Sequence, residues 1–252
     1  MSMAGQLRVL ADPAALAAEA AGLIAAEAAA AIADRGRFTL ALSGGTTPRA
    51  TYERLAAAPF CTAIDWARVQ IFYGDERCVP PDDPRSNHAM ARAALLDHVP
   101  LPAANIHRMR GEDPPEQAAI AYTAALQACF GGDPDTGPPA EGFDLVLLGL
   151  GGNGHTASLF PGLPAVTERR RWVMAQYVEV AGMWRLTLTP VVLNAARRVV
   201  FLVAGRDKAA VLRRVLCGPP EPLVLPAQAI SPASGGLLWL ADRAAAAQMS
   251  LP

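Results

Sequence analysis

The residues able to do chemistry stand just past apolar runs. In residues 143–161, Leu145, Val146, Leu147 and Leu148 form a short apolar run, as in a strand buried on both faces. Glycines 149, 151, 152 and 154 follow, then His155, Thr156 and Ser158. Glycine admits positive φ and lets a ligand approach the backbone. In an open parallel sheet, ligands bind beyond the carboxyl ends of the strands. A histidine delivered there suits acid–base work, because imidazole titrates near neutrality. Three other stretches bring partners. Ser43, Gly44, Gly45, Thr46 and Thr47 lie between a strand at 38–42 and a helix expected to start at Pro48 with Thr47 as cap. Free amides of Gly44, Gly45 and Thr46 at a helix N-terminus make an anion cradle. The loop is neither a Walker A motif nor G-x-G-x-x-G. Asp75, Glu76 and Arg77 follow a strand at 69–73, where a charge cluster reads as a binding loop. Lys208, the one lysine beside 21 arginines, opens the helix after a strand at 199–203. An ammonium is a compact charge that a guanidinium does not replace in a tight site. Arg185 lies in the alternating run 184–188 and is expected to share a strand face with Leu186 and Leu188. A guanidinium on an apolar face needs an anion, from a structural carboxylate or a ligand phosphate.

Two cations and a backbone cradle suit a phosphate. No Ser-His-Asp order and no nucleophile elbow is present, so Ser158 is not read as a nucleophile. The composite is a sugar phosphate held by its phosphate, with a histidine acting at the far end. A reaction needing only a base and water fits best.

The elements that must hold these groups alternate along the chain. Asp12 and Pro13 start an alanine-rich helix over 14–33 that Gly36 ends. Ser86 caps a helix of about ten residues. Strands are expected at 38–42, 69–73, 106–109, 145–148, 172–177, 184–187, 199–203 and 237–240. Further helices are expected at 115–130, 190–196 and 241–249, and 131–142 is a surface loop. The alternation predicts a single α/β domain over 1–252, Rossmann-like, with a mainly parallel sheet and helices on both faces.

Composition narrows the partners. With 252 residues, 52% hydrophobic and 18% charged, the chain builds a substantial core. A net charge of −1 gives no basic excess for nucleic acid or an anionic membrane. No apolar run is read as approaching the roughly 20 residues of a membrane span, and no secretory signal is expected in 1–10. The four cysteines form no C-x-x-C pair and read as reduced thiols of a cytoplasmic protein; the four histidines show no zinc spacing, so no metal is expected. A monomer or weak homodimer is expected.

Several motifs resemble the 6-phosphogluconolactonase family across about the whole chain. They are Leu-Ser-Gly-Gly-Thr-Thr-Pro (42–48), Phe-Tyr-Gly-Asp-Glu-Arg-Cys-Val-Pro (72–80), Ser-Asn-His (86–88) and Gly-His-Thr-Ala-Ser-Leu-Phe-Pro-Gly (154–162). Arg-Leu-Thr-Leu-Thr (185–189) and Gly-Arg-Asp-Lys-Ala (205–209) complete the set, in the family's order. The resemblance implies hydrolysis of 6-phospho-D-glucono-1,5-lactone, the second step of the oxidative pentose phosphate pathway, without metal or organic cofactor. It implies the fold shared with glucosamine-6-phosphate deaminase and ribose-5-phosphate isomerase. His155 would activate water; Arg185 and Lys208, with the amides of 44–46, would hold the phosphate. Asp75 and Arg77 would line the sugar and help place it or His155. Asn153, counted with the substrate-binding residues, stands where members commonly carry Asp, and brings no charge. A deaminase-like isomerase is the nearest alternative, but Arg77 and the run 156–160 depart from its pattern and its partner Glu for the histidine is absent. A non-catalytic sugar-phosphate sensor domain would bring a helix-turn-helix module, and 1–37 offers no basic recognition helix.

Overall fold

The structure, a computed structural model, describes residues 5–233 and 235–249. The strands are β1 (Gln6–Leu10), β2 (Phe38–Leu42), β3 (Val69–Tyr73), β4 (Asp75–Arg77), β5 (Leu145–Gly149), β6 (Val173–Val178), β7 (Met183–Leu188), β8 (Arg198–Val203) and β9 (Gly236–Asp242). The helices are α1 (Pro13–Arg35), α2 (Thr46–Leu55), α3 (Phe60–Ala63), α4 (Asn87–Ala94), α5 (Pro115–Phe130), α6 (Pro190–Leu193) and α7 (Ala209–Cys217). Six strands form one sheet in the order β1-β9-β8-β5-β2-β3, and every pairing is parallel. From β2 the chain moves outward to β3, then returns past β2 to β5 and runs the other way through β8 to β9. The reversal makes β2 and β5 the switch point, where an open sheet leaves a crevice at its carboxyl edge.

Both faces of the sheet are covered, as its apolar strands require. Leu145 and Leu147 pack with Leu16 and Ile24 of α1 and Tyr52 of α2. Val146 and Leu148 pack on the other face with Leu126 of α5 and Leu212 of α7. Asp12 caps α1 through Ala15 N at 2.8 Å, and Gly36 ends it at φ 76°. By length and composition α1 is apolar enough to cross a bilayer, contrary to the sequence expectation; in the fold Leu16, Ala20, Ile24 and Ala28 of its length are core.

The sequence reading missed a second sheet, the antiparallel β4-β7-β6. Gly74 is where the chain changes sheets. Its N–H donates to Leu42 O of β2 at 2.8 Å, and its carbonyl accepts Leu188 N of β7 at 2.8 Å. The residues expected as a loop, 75–77, are therefore a strand. The edge strand β1 was also missed. The expected strand at 106–109 reduces to one bridge, Ile71 with Ile106. No closing helix forms over 241–249. Pairing of β9 runs on to Asp242, and residues 243–248 are turns held by Asp242 Oδ1, which accepts Ala245 N at 2.7 Å.

Candidate active site

A cavity of about 350 Å³ opens at the switch point. Its walls include Ser43, Gly44, Gly45, Thr46, Asp75, Arg77, His155, Arg185 and Lys208. Groups scattered over some 165 residues of chain thus meet at one rim, brought by the ends of β2, β5 and β8 and by the small sheet.

The cradle differs from expectation in its cap. Helix α2 begins at Thr46, with Gly45 as N-cap at φ 110°, and no side chain caps its first turn. The reason is the Gly44-Gly45 turn, which glycine alone takes easily. With Thr47 inside the helix, the first amides are left for a ligand, and the helix dipole favours an anion there. The turn is pinned by Tyr52, whose hydroxyl accepts Ser43 N at 2.9 Å and donates to Ser43 O at 2.8 Å.

The loop after β5 folds back on itself. Gly151 N donates to His155 O at 2.9 Å, and Thr156 Oγ1 donates to Gly149 O at 2.9 Å. Gly151 has to be glycine, because a Cβ there would collide with the His155 ring. Ala157 holds φ 46° on the cavity wall, a conformation uncommon outside glycine. The imidazole stacks on Phe160, with centroids 4.1 Å apart. Its Nδ1 lies 2.6 Å from Asn153 Oδ1, which also accepts the His155 backbone N–H at 3.2 Å. An oxygen facing two donors fixes the Nδ1–H tautomer and leaves Nε2 with its lone pair. Asn153 is exposed and is not among the residues lining the cavity; its Oδ1 meets the imidazole. Burial pushes the imidazole down to about 4; Asp75 opposes this, and Arg185 and Lys208 add to it. The ring is therefore neutral at neutral pH.

On the small sheet, Asp75 pairs in register with Thr187, and Arg77 with Arg185. Side chains alternate along a strand, so Arg185 shares a face with Thr187, Arg77 and Asp75. This corrects the expectation that it lies with Leu186 and Leu188, which point the other way. Nε of both arginines is buried without a partner, and among the described residues neither makes a salt bridge. Burial lowers the Arg185 pKa and Asp75 counters it. Arg77 Nη1 donates to Arg85 O, and the two adjacent cations on the cavity wall form a receptor for an anion or a developing negative charge. Among the described residues the one ion pair of Lys208 is with the exposed Asp207, at 3.0 Å, and its ammonium lines the cavity.

Asp75 is buried and held on both oxygens. Oδ1 accepts Asn87 Nδ2 at 3.1 Å, and Oδ2 accepts Ser158 Oγ at 2.6 Å. Sequence reasoning gave neither Asn87, Ser158 nor Phe160 a role. The signals were the Ser-Asn-His triplet and the spacing of Ser158 and Phe160 from His155, but only folding shows what they meet.

Residues 11–239 match the family described as glucosamine-6-phosphate isomerases/6-phosphogluconolactonase. The chain belongs to that family. A 6-phosphogluconolactonase of Nostoc sp. is 42% identical over 97% of this chain and 98% of its own. The solved 6-phosphogluconolactonase of Trypanosoma cruzi superposes with a TM-score of 0.87, at 28% identity, covering 100% of this chain and 99% of its own. A monomeric glucosamine-6-phosphate deaminase superposes with a TM-score of 0.79 at 22% identity, over 96% of this chain and 99% of its own, which shows the shared fold. The resemblance and the fold class read from the motifs are borne out.

Proposed function

We propose that this protein hydrolyses 6-phospho-D-glucono-1,5-lactone to 6-phospho-D-gluconate, with His155 as general base. The observation that carries the reading is an imidazole oriented by Asn153 in one cavity with an uncapped helix N-terminus and three cations. The amides of Gly44, Gly45 and Thr46, with Lys208 and Arg185, hold the phosphate. Asp75 and Arg77 line the sugar. Nε2 takes a proton from water as its oxygen adds to the lactone carbonyl. The imidazolium so formed keeps Nδ1–H on Asn153 and is favoured by the Asp75 charge. Negative charge gathers on the carbonyl oxygen and is met by the Arg77 guanidinium on the cavity wall. As the tetrahedral centre collapses, the C1–O5 bond breaks and O5 takes the proton back from Nε2. A carboxyl at C1, which ionises, and a hydroxyl at C5 result, with no cofactor in the balance. A deaminase would need a Glu to partner its histidine, and the run 156–160 after His155 supplies none.

The test measures 6-phosphogluconate release from freshly made lactone against the spontaneous background. His155→Ala is expected to fall to background while still binding 6-phosphogluconate. Turnover at the wild-type rate would remove His155 from the mechanism.

A further inference from the structure

A buried polar cluster lies behind the cavity, outside the residues given a role above. Glu76, on the face of β4 opposite Asp75, is 3% exposed. Its carboxylate accepts Arg77 N at 2.8 Å, Asn87 N at 2.7 Å, His88 N at 2.8 Å and Ser86 Oγ at 3.0 Å. Burial pushes this carboxyl up, and the four donors pull against it. Geometrically, Glu76 ties the first turn of α4 to β4. The first residue of that turn is Asn87, itself 3% exposed.

The Asn87 side chain reaches two parts of the site at once. Nδ2 donates to Asp75 O at 2.8 Å and to Asp75 Oδ1 at 3.1 Å. Its Oδ1 occupies the space beside Gly44 that a Cβ would need. Gly44 starts the cradle; Asp75 faces His155 and Arg185. One amide therefore spans the phosphate end and the carboxylate end of the cavity.

We propose that Asn87 is a positioning residue that fixes the separation between the phosphate cradle and the Asp75 carboxylate, with Glu76 anchoring the turn that carries it. This rests on the lactonase reading above. Holding the phosphate places the lactone carbonyl only if that separation is fixed, because a small misplacement undoes effective concentration. Asn87 thus converts phosphate binding into correct placement at His155. It is not among the residues lining the cavity.

The experiment compares Asn87→Ala with wild type on the phosphorylated lactone and on unphosphorylated glucono-1,5-lactone. Losing a hydrogen bond to a charged group should lower kcat/KM for the phosphorylated lactone by about 10- to 100-fold. The unphosphorylated lactone, which never uses the cradle as a ruler, should lose far less, so the preference for phosphate shrinks. A merely structural role would lower both alike, and an equal loss overturns the proposal. A second measurement uses the contact with Gly44. Gly44→Ala should be strongly impaired alone and substantially restored in the Asn87→Ala background, where the colliding oxygen is gone; additive losses would overturn the proposal as well.

Asn87→Asp keeps the shape and sets a second carboxylate against Asp75. The groups facing that pair are Arg77 on β4, Arg185 on β7, His155 on the β5 loop and Tyr52 on α2, and Glu76 on the opposite face of β4 accepts the Asn87 N–H. Two adjacent carboxylates retain a proton between them. The variant should therefore recover activity as pH falls from 8 towards 6; a profile parallel to wild type counts against the proposal. Failure of the lactonase reading is separable, since wild type would then show no turnover above background.

Discussion

Asn153 is the most direct handle on the base. In the free protein the imidazole titrates at about 4, because burial and the nearby Arg185 and Lys208 outweigh Asp75. At pH 5.5 a group with that pKa is about 97% neutral, whereas one at the reference value of about 6.5 is only about 9% neutral. Wild-type kcat/KM should thus stay nearly flat down to pH 5.5 and fall as pH drops through about 4. Asn153→Asp sets a carboxylate where the amide oxygen now lies, 2.6 Å from Nδ1. An opposite charge at such range raises an imidazole pKa by about 1–3 pH units. With a rise of about 2, the ring is roughly a quarter neutral at pH 5.5, so kcat/KM there drops about fourfold. At pH 8 both bases are neutral, and the variant should equal or exceed wild type, since its base is stronger. The assay quenches timed samples with hydroxylamine and reads residual lactone as its hydroxamate, which avoids a coupling enzyme at acid pH. Superimposable pH profiles for the two proteins would refute the claim that Asn153 sets the state of His155. An acid limb near 6.5 in wild type would refute the burial argument.

Gly151→Ala should lower kcat on the order of 100-fold with the fold retained, because a Cβ there displaces the imidazole, and misplacement near 1 Å costs about that much; a kcat within about twofold of wild type would show that the ring need not lie over residue 151. Lys208→Ala should weaken binding of 6-phosphogluconate far more than of unphosphorylated gluconate, measured by calorimetry; equal losses would mean that the ammonium does not meet phosphate. Phe201→Ala removes a ring fully buried and stacked on Trp239 at 3.7 Å. It should cost about 3–5 kcal/mol in chemical denaturation, and a loss under about 1 kcal/mol would contradict the packing described.

The strand-helix alternation was legible because buried strands and the amphipathic or alanine-rich helices write their own periods. Leu145 to Leu148 has to be a strand core, and Asp12-Pro13 with Gly36 brackets α1 by local chemistry alone. The short pieces were not legible. Residues 75–77 carry charges that read as a loop, yet they pair with β7 because Gly74 hands the chain from one sheet to the other. The final alanines read as helix, but β9 pairing and the buried Asp242 hold them in turns. The facing of Arg185 was misread along the strand; its register with Arg77 is a long-range pairing that no local pattern encodes.

The sequence by itself determined which groups are present and which strand ends carry them: a histidine beyond β5, a glycine turn before α2, a lone lysine beyond β8. Those are local facts, written in residue type and spacing. Only the tertiary structure decided that Asp75 is gripped by Asn87 and Ser158, and that the Arg77 and Arg185 guanidiniums lie abreast. Each depends on contacts between segments distant in the chain, or on burial, and both exist only once the two sheets have packed.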